Sequence, residues 1–146
     1  MAIMAENNAS IAAISEPWSW KQNLGFDSRF KIINPSSAAP IIVKSNIPCD
    51  NILSNQSFTA IRLINNLLIV SSYLNPKVPI QSTNEDIETI NSFLIKYANA
   101  PVILTGDWNA RHFYWDNKTN SRGTHLANLI DTHGLMVCVP TIPTCR

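Results

Sequence analysis

Four side chains at three predicted strand ends have the types to do chemistry together. The segment Pro101-Val102-Ile103-Leu104-Thr105-Gly106-Asp107-Trp108-Asn109-Ala110-Arg111-His112 runs from an apolar strand into a glycine, then into a carboxylate and a carboxamide. In extended backbone, residues i and i+2 point to the same side. Asp107 and Asn109 can therefore converge on one ligand at the carboxyl edge of a sheet, where α/β folds place their sites. Asp and Asn are also common turn formers, so the segment read alone fits a turn after a core strand as well. Glu16 follows the apolar run 11–14, and Tyr73 closes the run 67–73, which adds two polar groups at strand ends. A carboxylate there is a hard oxygen ligand suited to Mg²⁺ or Mn²⁺. A second carboxylate can orient or deprotonate a water, and an amide with a phenol can hold phosphate oxygens. Metal-assisted phosphodiester hydrolysis needs that combination: a Lewis acid, an activated water and donors for an anionic transition state. Taken singly, Glu16 also suits a solvated strand end, and strand-end tyrosines often pack with the hydroxyl in water.

After the Gly-Asp stretch, Trp108, Phe113, Tyr114 and Trp115 are interleaved with Arg111, His112, Lys118 and Arg122. Aromatic faces beside cations are the local signature of a nucleic-acid contact surface. For Trp108 and Trp115 the same pattern fits rings that pin a loop onto the sheet.

Three strand ends must lie side by side for these groups to meet. Residues 1–10 read as the last turns of an amphipathic helix, followed by a buried strand over 11–15 that Glu16-Pro17 closes. Residues 18–27 read as a loop. Strands are expected at 30–33 and 39–44 and at 58–64, the last alternating as a half-buried antiparallel strand should. Asn65-Asn66 joins it as a hairpin turn to 67–73, an apolar strand that belongs in the sheet centre. Ser82-Thr83-Asn84-Glu85 predicts a capping box, with a helix over 83–98 facing Ile87, Ile90, Leu94 and Tyr97 inward. Residues 101–105 form the next core strand. A short helix is predicted over 124–133, with Leu126, Leu129 and Ile130 inward and Gly134 as its stop, and a last strand over 135–139. Hairpins together with strand–helix–strand units predict an α/β fold, a mixed sheet layered with helices.

The bulk numbers set bounds. One domain fits 146 residues. Charged residues make up only 14%, below the usual quarter, so Asn, Ser and Thr supply much of the polar surface. With a formal net charge of +1, any polyanion site has to be local. Cys49, Cys138 and Cys145 are odd in number and lack C-x-x-C spacing, which argues against a disulfide framework and a zinc site and suits a reducing compartment. The first fifteen residues do not read as a signal peptide, and no apolar run approaches the roughly 18 residues of a membrane span. An intracellular protein without membrane segments is expected.

The chain resembles the endonuclease/exonuclease/phosphatase superfamily, and within it the endonuclease domains of non-LTR retrotransposons such as the jockey elements. The likeness is carried by Ile14-Ser15-Glu16-Pro17-Trp18, Ser72-Tyr73-Leu74-Asn75-Pro76, the stretch from Thr105 to His112 with Trp115, Asn120-Ser121-Arg122-Gly123, and residues 128–134 followed by Pro143-Thr144. It spans almost the whole chain, which implies residues 1–146 as one partial domain of that superfamily. The implied fold is a DNase I-like layered sandwich of mixed β-sheet with flanking helices, incomplete at both ends. The implied activity is Mg²⁺-dependent (or Mn²⁺-dependent) nicking of DNA, in the nucleus. Glu16 matches the family's metal-binding glutamate and Tyr73 its phosphate-contacting tyrosine. Asp107 matches the aspartate that positions or activates the attacking water, and Asn109 the asparagine that orients substrate and aspartate. Arg111, His112, Trp115 and Arg122 are candidates for substrate contact. The family's opening strand would precede Met1, and its Ser-Asp-His-type ending would follow Arg146. None of His112, His125 and His133 directly follows an aspartate, so the catalytic histidine has no candidate and little activity is expected of these residues alone. The alternatives are a non-catalytic nucleic-acid-binding remnant and another phosphoesterase of the superfamily.

Overall fold

A computed structural model describes residues 4, 6–16 and 28–138. It divides into two compact units, Met1–Asn75 with Asn99–Trp108 and Pro76–Ala98 with Asn109–Arg146. The expected loop at 18–27, the Pro17-Trp18 pair and the Pro143-Thr144 pair lie outside the described residues, as do 1–3 and 5 of the expected N-terminal helix. Met4 and Glu6 of that helix are helical.

The first unit is built from β1 (Ile11–Ala13), β2 (Phe30–Ile33), β3 (Ile41–Lys44), β4 (Cys49–Ser54), β5 (Phe58–Leu63), β6 (Leu68–Tyr73) and β7 (Val102–Asp107). One sheet has the order β1-β3-β2 and the other β4-β5-β6-β7. All pairs are antiparallel except β6 with β7. The two sheets form a layered sandwich in which Ile41 and Val43 of β3 pack with Ile61 of β5, ringed by Ile11, Ile33, Leu63 and Ile69. Each such buried aliphatic contributes roughly 1.5–3 kcal/mol. On the other face of the three-stranded sheet, Ile42 packs with Phe30 and Met4.

The β5–β6 hairpin forms as the asparagines require. Asn66 sits at φ 64, and the Asn65 side chain accepts from the Leu67 amide at 3.2 Å. β5 is buried through its first four residues rather than on alternate ones, so both of its faces are covered over that stretch. Its polar Thr59 is satisfied there by the Asn34 amide at 3.1 Å. β6 is central and covered on both faces, as expected. β7 differs from the expected core strand. It runs through Gly106 to Asp107 and lies at its sheet's edge among the described residues, which leaves Ile103 half exposed. β1 is likewise a half-buried edge strand rather than a buried one. β4 was not anticipated: Asp50, Asn51 and Ser54 are turn-type residues, and a register shift between Asn51 and Leu53 breaks its alternation.

The second unit contains helices α1 (Ile80–Lys96) and α2 (Ser121–His133). α1 begins before the expected capping box. Pro79 is its N-cap and its carbonyl accepts from the Thr83 amide at 3.3 Å, so Ser82 is already inside the helix. Thr83, Ile87, Ile90, Phe93 and Leu94 are its buried residues. Tyr97 follows as the C-cap. α2 also begins early, at Asn120, and ends as expected at Gly134 with φ 60. The two helices are joined by hydrogen bonds from His125 to Asn84 at 2.5 Å and from His133 to Asn91 at 2.8 Å. Residues 135–138 form no strand; among the described residues they find no partner strand, and Met136 is exposed. The class is α/β, with β1 to β7 in the first unit and α1 and α2 in the second. No helix among the described residues is long and apolar enough to cross a membrane.

Candidate active site

The parallel register of β6 and β7 sets Tyr73 opposite Asp107 and Ser72 opposite Gly106. Glu16 comes from the other sheet, three residues past β1. These ends meet because serines stitch them together. The Ser71 hydroxyl donates to the Ile14 carbonyl at 3.2 Å, and the Ser15 hydroxyl donates to the Ser72 carbonyl at 3.1 Å. The Ser15 oxygen also accepts from the Asp107 amide at 3.2 Å. The structure thus brings Glu16, Tyr73 and Asp107 together within the first unit.

The Tyr73 hydroxyl donates to Glu16 Oε1. Its ring is buried, with 5% of its surface exposed. Burial, then the hydrogen bond to Glu16, then the charges of Glu16 and Asp107 push the phenol up to about 12. At neutral pH it is therefore a fixed donor aimed at a carboxylate. Glu16 adopts the left-handed backbone at φ 53, uncommon for a residue with a side chain, and its amide is held by the Ala38 carbonyl at 3.0 Å.

Gly106 lets the strand end close up. At its φ of 140, an added Cβ would stand 2.0 Å from the Ser72 carbonyl oxygen. Leu74 N–H reaches the Asp107 carbonyl at 2.9 Å, and Trp108 packs on Phe58 with ring centroids 5.9 Å apart. Trp108 thus pins the strand end to the sheet.

Asn109 opens the second unit's loop at φ 46. There the Asn120 side chain is the organiser. Its amide donates to the Asn109 carbonyl at 3.4 Å, and its oxygen accepts from Arg111 N–H at 3.1 Å and from Gly123 N–H at 2.7 Å. Gly123 is required because a Cβ would lie 1.7 Å from the Arg111 carbonyl oxygen. Arg122 is buried and donates to the Val78 carbonyl at 2.9 Å and the Pro76 carbonyl at 3.4 Å. The Asn120-Ser121-Arg122-Gly123 motif is thus a helix-start and loop-anchoring device. Trp115 Nε1 donates to the Ala110 carbonyl at 2.9 Å. His112 sits among Phe113, Tyr114 and Trp115, its ring 4.5 Å from that of Tyr114. Arg111 is exposed and lies 3.7 Å from Asp116. Phe113 and Tyr114 are the outward-facing aromatics.

Two residues of the site escaped sequence reasoning as functional positions. Ser15 and Ser72 each stand beside a candidate site residue in the sequence, but neither carries a functional signal of its own. Among the described residues no group of three or more His, Cys, Asp or Glu is placed to hold a metal ion. Two carboxylates with water completing the shell is nevertheless a donor set that Mg²⁺ accepts.

A protein-family model described as endonuclease-reverse transcriptase matches residues 67–146, more than half of the chain. The match takes in Tyr73, Asp107 and Asn109; Glu16 precedes it. No curated protein matches the chain.

Proposed function

The chain belongs to the endonuclease-reverse transcriptase family, and from that membership we propose that Glu16, Tyr73 and Asp107 form a metal-assisted phosphodiesterase site that nicks DNA. The observation that carries this is the meeting of two carboxylates and a protonated phenol at three strand ends, tied by the Tyr73–Glu16 hydrogen bond. Glu16, with Asp107, would hold a Mg²⁺ or Mn²⁺ ion, which when bound supplies Lewis acidity to a phosphate oxygen. Asp107 would orient the attacking water and take its proton as the water oxygen bonds to phosphorus, while the P–O3′ bond breaks and the departing oxygen takes a proton from solvent to leave a 3′-hydroxyl. Tyr73 has a single O–H, and it is engaged by Glu16, so in this arrangement the phenol orients the metal-binding carboxylate. Asn109 is assigned to substrate orientation, and Arg111 and His112 to contact with the nucleic acid. Trp115 serves by holding the loop that carries them, and Arg122 by anchoring the start of α2 to the segment that precedes α1. The family relation suits a nuclear, DNA-bound setting.

The test is a supercoiled-plasmid nicking assay in Mg²⁺, run on this chain and on the chain extended along its reading frame. The extended chain is expected to open the plasmid, with Asp107→Ala slower by about 10²–10³. Little nicking is expected from the 146 residues alone, which contain no Asp-His pair. Nicking that ignores Asp107→Ala overturns the proposal. Salt-dependent DNA retention without cleavage in the extended chain would instead identify a non-catalytic binding domain.

A further inference from the structure

In a parallel ladder, the N–H and C=O of one residue face the same neighbouring strand. The Asp107 carbonyl accepts from Leu74 N–H of the chain just past β6, so the Asp107 amide also faces β6, toward the Ser72 carbonyl. The Ser15 hydroxyl engages both groups of that rung, donating to the Ser72 carbonyl at 3.1 Å and accepting from the Asp107 amide at 3.2 Å. A side chain from the other sheet thus bridges the last β6–β7 rung. Ser15 directly precedes Glu16, whose left-handed backbone persists only where its surroundings over-determine it. The bonds at Ile14, Ser15 and Glu16 do so.

We propose that Ser15 is a positioning residue of the site: its hydroxyl fixes the Asp107 backbone relative to Glu16, and so the spacing of the two carboxylates. What that spacing serves rests on the phosphodiesterase proposal above. The hydroxyl itself touches no reacting atom. Its effect runs through the Asp107 amide on one side and the Glu16 peptide on the other.

The experiment compares wild type, Ser15→Ala, Ser15→Thr and Ser71→Ala in the full 146-residue chain. Hydrogen exchange of the Asp107 amide is followed by NMR, and Mn²⁺ binding by calorimetry. Ser71→Ala removes an inter-sheet hydrogen bond without touching Asp107, and so reports a merely structural effect. Ser15→Ala is expected to speed Asp107 exchange by roughly 10-fold and to weaken Mn²⁺ by about 10-fold, the low end for losing a group that orients a metal ligand. Ser15→Thr, which keeps the hydroxyl, should restore exchange and affinity. Ser71→Ala should leave Asp107 exchange near wild type, while its effect on Mn²⁺, through the Ile14 bond that helps hold Glu16, carries no weight in the comparison. Unchanged exchange in Ser15→Ala, or an equal change in Ser71→Ala, overturns the assignment. If Ser15→Thr does not fold, the Ser15→Ala and Ser71→Ala pair decides alone. If Glu16→Gln leaves Mn²⁺ binding unchanged, the metal-site proposal fails, while Asp107 exchange still decides the role of Ser15.

Discussion

Gly106→Ala should lower the unfolding midpoint by about 10 °C, far more than the same change at Gly134. A Cβ at Gly106 would stand 2.0 Å from the Ser72 carbonyl oxygen, 2.7 Å from its carbon and 2.4 Å from its hydroxyl. The hydroxyl can rotate away only by giving up its bond to the Thr105 carbonyl at 2.8 Å. The carbonyl cannot, since it belongs to the β6 backbone and accepts from Ser15. Alanine at φ 140 also carries strain on the order of 1–3 kcal/mol, and displacing the carbonyl sacrifices a hydrogen bond of about 1 kcal/mol. The combined cost is about 3 kcal/mol. At roughly 2–4 °C per kcal/mol for a chain of this size, that gives the shift stated. Gly134 has φ 60 and nothing within 4 Å of its Cβ position, so alanine there carries only the left-handed backbone cost of roughly 1–2 kcal/mol. Circular-dichroism melts of both variants at equal concentration make the comparison. If Gly106→Ala melts no lower than Gly134→Ala, the close approach of β7 to Ser72 does not control the strand end.

Other expectations follow from single contacts. The phenolate absorbance difference between wild type and Tyr73→Phe should titrate near pH 12; a midpoint near 10 refutes the buried, Glu16-bonded phenol. Because the folded value is raised, the stability this group contributes is complete below pH 10 and lost as pH rises from 10 to 12, so Tyr73→Phe should flatten the alkaline loss of stability in urea titrations. Asn120→Ala removes the α2 cap and should cost about 1–2 kcal/mol in chemical denaturation, with no loss contradicting the cap assignment. Arg122→Ala should cost about 2 kcal/mol through its abandoned carbonyl partners and leave the salt dependence of DNA binding unchanged; a slope reduced by about one would mean a phosphate contact instead.

The parts of the fold that were legible are those written in local chemistry. Asn65-Asn66 predicts its hairpin because few other residues tolerate the required backbone, and Gly134 its helix stop for the same reason. The ends carrying Glu16, Tyr73 and Asp107 were legible because apolar runs break there into polar groups. Helix starts were misplaced because competing local signals exist: Ser82 and Glu85 match a capping box, yet Pro79 sets the first turn of α1, and Asn120 outbids the later start expected for α2. β4 was hidden by its turn-type residues and its bulge. The role of Ser15 is illegible in principle, since its partners lie 57 and 92 positions away. The burial of Arg122 on two carbonyls is hidden as well, because composition cannot distinguish an exposed guanidinium from a buried one.

The placement of Asp107 raises a physical problem that the serine network solves. Among the described residues Asp107 ends an edge strand, the kind of position that frays with little free energy, whereas the role proposed for it, aiming at a reacting phosphate, needs a group held within about 0.5 Å. Three contacts of different origin restrain it: Leu74 N–H on its carbonyl, Ser15 on its amide, and the Trp108 ring on Phe58 one residue beyond. Glu16 is restrained differently. β1 is only three residues long and half-buried, so the position of Glu16 depends on the bonds at Ile14, Ser15 and Glu16 itself, with Tyr73 orienting its carboxylate. Ser15 takes part in both restraints, so loosening it moves the two carboxylates relative to each other even while each strand stays intact.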